Sequence, residues 1–206
     1  MSVAVVGAAV YLVAELWALT WRKDAHTLAR LDALVARGDK VAAVFWHGSY
    51  FPLFALARGR AAAVLTSASF RGYVIAFICR RYGYEPVILG EGTATPQVLI
   101  DARLKDGASM LAIAPDGPVG PFGRVKPGFV RLAADLDLRV VPIGVRAWPT
   151  WKLKRRWDKR RIPLPFARVS IVVGTPIDLP RGLDRTVIGM WQETITDALD
   201  AVQRDL

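Results

Sequence analysis

The sequence predicts a single α/β domain in which a mostly parallel central sheet is flanked by helices and preceded by an apolar helix. Two observations lead to this fold class. From residue 41 onward, short runs rich in β-branched and apolar residues alternate with stretches of helical periodicity, as in α/β layer folds. The first 21 of the 206 residues carry one charge, Glu15, and no change of composition divides the rest. We therefore expect a leading segment at 1–24 and one α/β domain at 25–206.

Six short runs are expected to form the strands of the sheet, and helices are expected between them. The strand candidates lie at 41–46, 61–66, 85–89, 109–114, 139–145 and 168–173. The helix candidates lie at 48–57, 72–82, 93–105 and 127–137, each ended by Gly or a charged turn. A last helix at about 184–205 repeats apolar residues on one face, at Val187, Trp191, Ile195, Leu199 and Val202.

Two stretches rich in Pro, Gly and charge are expected to be irregular. The first is 115–127 (PDGPVGPFGRVKP), which follows a predicted strand. Pro lacks a backbone donor and Gly is permissive, so regular structure is not expected there. The second is 148–165, which interleaves three tryptophans with basic residues. Because open α/β sheets bind ligands beyond the carboxyl ends of their strands, the first stretch is a candidate binding loop.

The charge is strongly positive and concentrated. Lys and Arg number 28 against 18 Asp and Glu, which gives a net charge of +10. The basic segment, defined as residues 146–168, holds nine of the basic residues and one acid, Asp158. Such a patch attracts anionic partners, whether lipid headgroups, phosphorylated substrates or nucleic acid. The single cysteine, Cys79, excludes an intrachain disulfide and a metal cluster built on cysteine.

His47 is the first candidate for catalysis. It follows the apolar run VAAVFW and precedes Gly48, at the expected carboxyl end of a strand. A neutral imidazole there can accept a proton from a substrate hydroxyl at physiological pH. A hydrogen-bonded structural histidine is the alternative, and His26, in a charged helical stretch, is expected to be a surface residue.

Asp116 and Gly117 open the loop that follows another predicted strand. The loop's backbone donors, together with Arg124 and Lys126, are suited to holding a phosphate or an oxyanion. An acidic turn residue that caps its own loop is the alternative interpretation.

Three interpretations fit the leading segment. About 20 apolar residues span a bilayer, and Trp17 and Trp21, next to Arg22 and Lys23, suit a membrane interface. A buried core helix is the second interpretation, because Glu15 would be costly in lipid. A secretory signal is the third, although a positively charged start and a cleavage site with small residues are missing. Membrane insertion or docking is the interpretation that we favour.

Taken in order, the motifs of this chain resemble the lysophospholipid acyltransferase superfamily, and most closely a bacterial branch of small members with a PDGPxGP motif. The resemblance covers about residues 35–180. The matching elements are Trp46-His47-Gly48, Ser67-Ala68-Ser69, the string from Ala114 to Pro121, Lys126-Pro127-Gly128, the string from Val141 to Val145, Trp157-Asp158 and Pro163-Leu164-Pro165-Phe166.

The resemblance implies acyl transfer from a thioester, either acyl-CoA or acyl carrier protein, to a hydroxyl of a lysophospholipid or glycolipid. His47 matches the family's general base, and Pro115-Asp116-Gly117 matches a Pro-Glu-Gly motif that helps to bind the acceptor's phosphate. Asp116 is thus the second expected catalytic residue. Substrate contacts are expected from Gly48, Ser67, Ser69, Gly117, Pro118, Arg124 and Lys126. Neither a metal nor a cofactor is expected.

From the apolar leader and the basic segment we expect the protein to lie on an anionic bilayer, at the cytoplasmic face of a bacterial inner membrane. The residues expected to contact lipid are Trp17, Trp21, Trp148, Trp151, Lys154, Arg155, Arg156, Arg160 and Arg161. The oligomeric state is left open.

Three positions depart from the family pattern. A His-x4-Asp motif would place at position 52 the acid that orients the imidazole, and the chain has Pro52 there. The Asp-Gly pair of the bacterial branch reads Arg71-Gly72, and the family's Arg-Gly pair reads Leu89-Gly90. Glu91 and Asp116 are the acids considered as replacements for the missing orienter.

Two other functions compete with acyl transfer. The first is a catalytically impaired relative that binds anionic lipid at a membrane surface, which the missing acid favours. The second is a nucleic-acid binder that uses the tryptophans and arginines of the basic segment for stacking and phosphate contacts. Because the apolar leader favours lipid, no nucleic-acid partner is expected.

Overall fold

The computed structural model describes residues 2–90, 94–153 and 155–204. The helices are α1 (Val3–Leu19), α2 (Leu28–Ala36), α3 (Tyr50–Leu56), α4 (Phe70–Arg81), α5 (Pro96–Lys105), α6 (Pro127–Asp135) and α7 (Ile188–Gln203). The strands are β1 (Arg22–Asp24), β2 (Val41–Val44), β3 (Ala62–Ser67), β4 (Glu85–Leu89), β5 (Met110–Ile113), β6 (Arg139–Lys152) and β7 (Arg161–Val173).

The seven strands form one sheet in the order β1-β7-β6-β2-β5-β3-β4. All neighbouring pairs are parallel except β6 and β7, which are antiparallel. The prediction of a mostly parallel sheet flanked by helices is therefore confirmed. β2 is buried along its whole length, as expected for a central strand covered on both faces.

The expectation that 148–165 is irregular is wrong. β6 continues to Lys152 and β7 begins at Arg161, so most of this stretch forms an antiparallel arm beyond the parallel sheet. Thr, Trp and Ile favour extended structure, and Trp151 pairs with Ile162. Pro149 falls where the register shifts, between Trp148 and Thr150, a place in a sheet that tolerates proline.

The N-terminal helix α1 is present and packs on α4 and α3. Its residue Ala18 is buried, and Glu15 pairs with Arg58 at 2.8 Å. A different set of its side chains is exposed: Val5, Val10, Leu12, Val13, Leu16 and Leu19. Over the described ranges, no helix is both long and apolar enough to cross a membrane. The expected boundary after residue 24 stays a prediction, and β1 forms the edge strand of the sheet.

The parallel strands bring three predicted site segments to one edge of the sheet. β2 ends just before His47, β3 ends at Ser67, and β5 ends just before the loop that contains Asp116. Since β2, β5 and β3 are neighbours and all parallel, their carboxyl ends lie side by side. This edge is where open α/β sheets place ligands.

Candidate active site

His47 lies in a tight turn beyond the end of β2. Residues His47–Ser49 form one turn of 3₁₀ helix, and α3 follows at once. Gly48 allows the turn to pack against the segment after β6, because a Cβ atom at Gly48 would lie 2.1 Å from the backbone oxygen of Asp158. Any larger residue at position 48 would push His47 away from that segment.

Asp158 is the acid that contacts the imidazole. Its Oδ2 lies 3.3 Å from Nδ1 of His47, and the side chain is fully buried. Arg156 donates two hydrogen bonds to the same carboxylate, at 3.0 and 3.2 Å, and Arg160 donates one at 3.0 Å. The acid that position 52 lacks is therefore supplied by Asp158, a residue 111 positions after His47.

The two arginines set the electrostatics of the His47–Asp158 pair. Burial raises the pKa of Asp158, but hydrogen bonds and charge from Arg156 and Arg160 outweigh it and bring the pKa to about 2. Burial is the main cause that lowers the pKa of His47; the hydrogen bond to Asp158 opposes it, and the charge of Arg160 adds to it. At neutral pH the site thus holds an ionised carboxylate beside a neutral imidazole, the state required of a general base.

Asp116 positions the backbone of His47 rather than its ring. The His47 amide donates to Oδ1 of Asp116 at 3.1 Å, and Asp116 is fully buried. Burial raises the pKa of this carboxyl to about 6, although hydrogen bonds from the amides of His47 and Asp116 oppose the rise. The expected replacement of the orienting acid by Asp116 is therefore wrong, and Glu91 lies outside the described residues.

The last helix, α7, fastens both flanks of the His47 turn. Trp46 on one side donates its indole N–H to Asp200 at 3.0 Å. Ser49 on the other side donates to Oε1 of Gln203 at 3.0 Å, and Nε2 of Gln203 donates to the Val145 carbonyl at 2.6 Å. The turn is thus tied to β6 through Gln203, which limits the motion of the imidazole.

His47 stands at the mouth of an apolar groove of about 680 Å³. It is lined by Ala43, Val64 and Ala112 of the sheet and by Leu53 and Ile75 of the helices α3 and α4. A groove of this size and apolarity suits a hydrocarbon chain or another apolar small ligand. The mouth carries Arg71, Arg156 and Arg160 beside Trp157.

The expected substrate-contacting residues separate into two groups. Ser67, Gly117 and Pro118 line the groove, whereas Gly48 holds the turn, and Ser69 caps α4 by accepting a hydrogen bond from the Gly72 amide at 3.1 Å. Arg124 and Lys126 are not among the residues that line the groove. Arg124 is exposed, and the Lys126 side chain lies over Gly117.

One of the residues expected at the membrane lies elsewhere. Trp21 is buried and packs edge-on against Phe51, which corrects that expected lipid contact. Arg156 and Arg160 pair with Asp158 and line the groove. Arg156 is exposed and Arg160 is half-buried, so their expected lipid contacts stay predictions.

The other expected lipid contacts lie at or near the surface. Trp148 and Trp151 are 74% and 60% exposed, and Arg155 is exposed. Trp17 is half-buried and donates its indole N–H to the Pro163 carbonyl at 2.8 Å. Arg161 is half-buried, and Lys154 lies outside the described residues.

No family model matches the chain. A protein of Rickettsia prowazekii (strain Madrid E) with the name uncharacterized protein RP090 is 31% identical over 139 residues, which is 66% of this chain. The match spans 62% of the length of that relative.

A solved structure shares the architecture of the chain. It is the crystal structure of the 1-acyl-sn-glycerophosphate (LPA) acyltransferase PlsC from Thermotoga maritima, with a TM-score of 0.52 and 18% identity. The similarity covers 97% of this chain and 78% of that chain. The chain therefore has an acyltransferase-like fold, as its sequence motifs predict.

Proposed function

We propose that the chain is an acyltransferase that moves a fatty acyl group from acyl-CoA or acyl carrier protein to a hydroxyl of a lysophospholipid or glycolipid. One observation carries the proposal: a neutral histidine, oriented by a buried carboxylate, stands at the mouth of an apolar groove. The histidine is suited to activating a hydroxyl, and the groove is suited to holding an acyl chain. The fold shared with an LPA acyltransferase supports this assignment.

The reaction needs one proton acceptor and one acyl donor. Asp158 accepts a hydrogen bond from the Nδ1–H of His47, which leaves Nε2 free to take the proton of the acceptor hydroxyl. The hydroxyl oxygen attacks the thioester carbonyl, the new C–O bond forms, and the C–S bond breaks. The imidazolium then returns its proton to the leaving thiolate. Asp158 stabilises the imidazolium in between, while Arg156 and Arg160 keep Asp158 ionised.

The position of Asp158 favours an active enzyme over a lipid-binding relative without activity. The absence of an acid at position 52 is the feature that supports the inactive alternative. In this chain a buried carboxylate from the basic segment contacts the ring at 3.3 Å and takes that place. The His47 turn is also fixed from both sides by α7.

The substrates of this proposed reaction are found at a membrane, and we place the protein at the cytoplasmic face of a bacterial inner membrane. The exposed apolar side chains of α1 lie near Phe166 of β7, which is exposed as well. The Phe166 amide donates a hydrogen bond to the hydroxyl of Thr20, the residue just after α1. Arg22 and Lys23 follow α1 and are exposed. An apolar face bordered by cations binds anionic bilayers at the interface.

Substitution of the two histidines tests the proposed function with a matched control. His47→Ala should lower acyl transfer from a thioester to a lysophospholipid by about two to four orders of magnitude, as expected for the loss of a general base. His26→Ala, at an exposed position paired with Asp24, should leave the rate unchanged. Equal activity of the His47 and His26 variants would show that the imidazole of His47 is not the base.

A further inference from the structure

The imidazole of His47 packs against two aromatic rings. The ring of Tyr50 meets it edge-on, with 5.3 Å between the ring centroids and 79° between the ring planes. The ring of Trp157 lies at 5.0 Å from it with a tilt of 38°. Both aromatic side chains also line the groove. The two rings restrict the rotation of the imidazole at the groove mouth.

Tyr50 reaches the imidazole because it follows His47 by three residues. The 3₁₀ turn His47–Ser49 leads directly into α3, which begins at Tyr50, and residues three apart lie on the same face of such a turn. Phe54, one turn further along α3, packs against the Tyr50 ring at 5.7 Å. Tyr50 therefore belongs to the same short helical unit as the proposed general base.

The ring of Tyr50 also carries Arg160. The guanidinium carbon of Arg160 lies 4.6 Å from the centroid of the ring, which is within the range of a cation–π interaction. The same guanidinium donates to Oδ2 of Asp158 at 3.0 Å, and the Arg160 amide donates to Oδ1 at 3.4 Å. The Arg160 side chain is only 20% exposed, so water screens its attraction to the ring in part. Tyr50 thus holds the arginine that holds the orienting carboxylate.

A closed set of four side chains results, and it joins two segments that are distant in the chain. His47 and Tyr50 come from the turn after β2 and from α3, whereas Asp158 and Arg160 come from the segment between β6 and β7. The chain has Pro52 at the position from which an acid on α3 itself would orient the imidazole. Because the acid comes from the other segment instead, side-chain contacts between the two segments must keep it in register with the imidazole.

We propose that Tyr50 is a positioning residue of the candidate active site, whose ring holds Arg160 against Asp158 and supports the His47 imidazole. The inference rests on the proposed function. The ring carries this role rather than the phenol hydroxyl, because both the edge contact and the cation–π contact are made by the ring. The motifs shared with the acyltransferase superfamily do not include position 50.

Steady-state kinetics with palmitoyl-CoA and lysophosphatidic acid separates the ring from the hydroxyl. Tyr50→Phe keeps the ring and should retain kcat within about twofold of the wild type. Tyr50→Leu removes the ring and should lower kcat by about tenfold with little change in KM, because the imidazole and Asp158 lose support while the groove stays apolar. Tyr73→Leu, at an exposed position of α4 that does not line the groove, is the matched control and should leave kcat unchanged. Equal losses in Tyr50→Phe and Tyr50→Leu would overturn the role of the ring.

The pKa of His47 gives a second readout, which a merely structural residue would not change. The charged and titratable groups around the imidazole are Asp158, Arg156, Arg160, Tyr50 and, at the His47 amide, Asp116. The charge of Arg160 lowers the pKa of His47, and both residues contact Oδ2 of Asp158. When Tyr50→Leu releases Arg160, the pKa of His47 should rise towards its usual value, whereas Tyr50→Phe should leave it unchanged. NMR titration resolves it because the chain has only two histidines, and His26→Ala identifies the other signal.

A double-mutant cycle tests whether Tyr50 acts through Arg160. Arg160→Gln removes the guanidinium and should raise the pKa of His47 by itself. Addition of Tyr50→Leu to Arg160→Gln should then raise this pKa little further, whereas independent action would make the two changes additive. Additive changes would overturn the proposal. Tm is measured for each variant, and Tyr50→Met, whose flexible side chain fills irregular space, replaces Tyr50→Leu if the latter does not fold.

Failure of the positioning role and failure of the proposed function are distinguishable. A pKa of His47 that rises in Tyr50→Leu, in a protein that transfers no acyl group, would refute the proposed function and keep the positioning role. Acyl transfer with kcat and the pKa of His47 both unchanged by Tyr50→Leu would keep the proposed function and refute the positioning role.

Discussion

Asp158→Asn is the substitution that probes the candidate active site most sharply. The asparagine keeps the size of the side chain but removes the charge that orients Nδ1 of His47 and binds Arg156 and Arg160. Loss of the correct tautomer in a comparable acid–histidine pair lowers kcat by about 10⁴-fold. The distance between Nδ1 of His47 and Oδ2 of Asp158 is 3.3 Å here. We therefore expect kcat to fall by about two to four orders of magnitude, which corresponds to an increase of about 3–5 kcal/mol in the activation barrier.

The same substitution should also change stability in a pH-dependent way. A pKa lowered from 3.8 to about 2 corresponds to about 2 kcal/mol of unfolding free energy. Arg156 is 47% exposed, so solvent screening reduces this to about 1–2 kcal/mol. The pKa of Asp158 in the folded protein lies below its usual value. The stabilisation by its ionised carboxylate is therefore fully present above pH 4 and is lost as the pH falls through about 2.

The assay combines acyl transfer with urea unfolding followed by tryptophan fluorescence. Asp135→Asn, at an exposed position on α6, is the matched control and should behave as the wild type in both measurements. An Asp158→Asn variant that retains activity within a few-fold of the wild type would refute the orienting role. An equal loss of stability at pH 7 and pH 2 would refute the electrostatic explanation.

Four further results are expected. Gln203→Leu should lower kcat by about tenfold with little change in KM, measured by steady-state kinetics, because it frees one flank of the His47 turn while leaving the groove intact. In a pH–rate profile the acid limb should lie below pH 6.5, since burial lowers the pKa of His47 and only the neutral imidazole is active. Ala112→Phe, which fills the groove, should abolish transfer from palmitoyl-CoA but spare acetyl-CoA. Changing Trp148 and Trp151 to Ala should weaken sedimentation with anionic vesicles; unchanged sedimentation would assign these side chains to another partner.

The sequence alone predicts the parallel part of the sheet well. β4 has the predicted bounds of 85–89, and the other predicted strands are found with small shifts or as parts of longer strands. Continuous apolar runs mark strands that are buried on both faces, which is why these strands are visible in a single sequence. β1 escapes prediction because its three residues, Arg-Lys-Asp, show no apolar pattern and gain their structure from pairing with β7.

The candidate site is predicted in part, for a similar reason. His47 is found because the end of a buried strand is visible in the sequence, and the Asp116 loop is found by its glycines and prolines. Asp158 is missed as the orienter because its contact with His47 crosses 111 residues, and local patterns carry no information about such pairs. Two signals were present: Asp158 is the single acid of the basic segment, and Trp157-Asp158 is one of the elements that match the family pattern.

The most direct test of the proposed function is a stoichiometric measurement of acyl transfer. The purified protein is incubated with palmitoyl-CoA or palmitoyl-acyl carrier protein and lysophosphatidic acid, and free thiol and new ester are quantified together. We expect one thiol released for each ester formed, with both products lost in His47→Ala and retained in His26→Ala. Thiol release without ester, or equal ester formation by the His47 variant, would contradict acyl transfer with His47 as the general base.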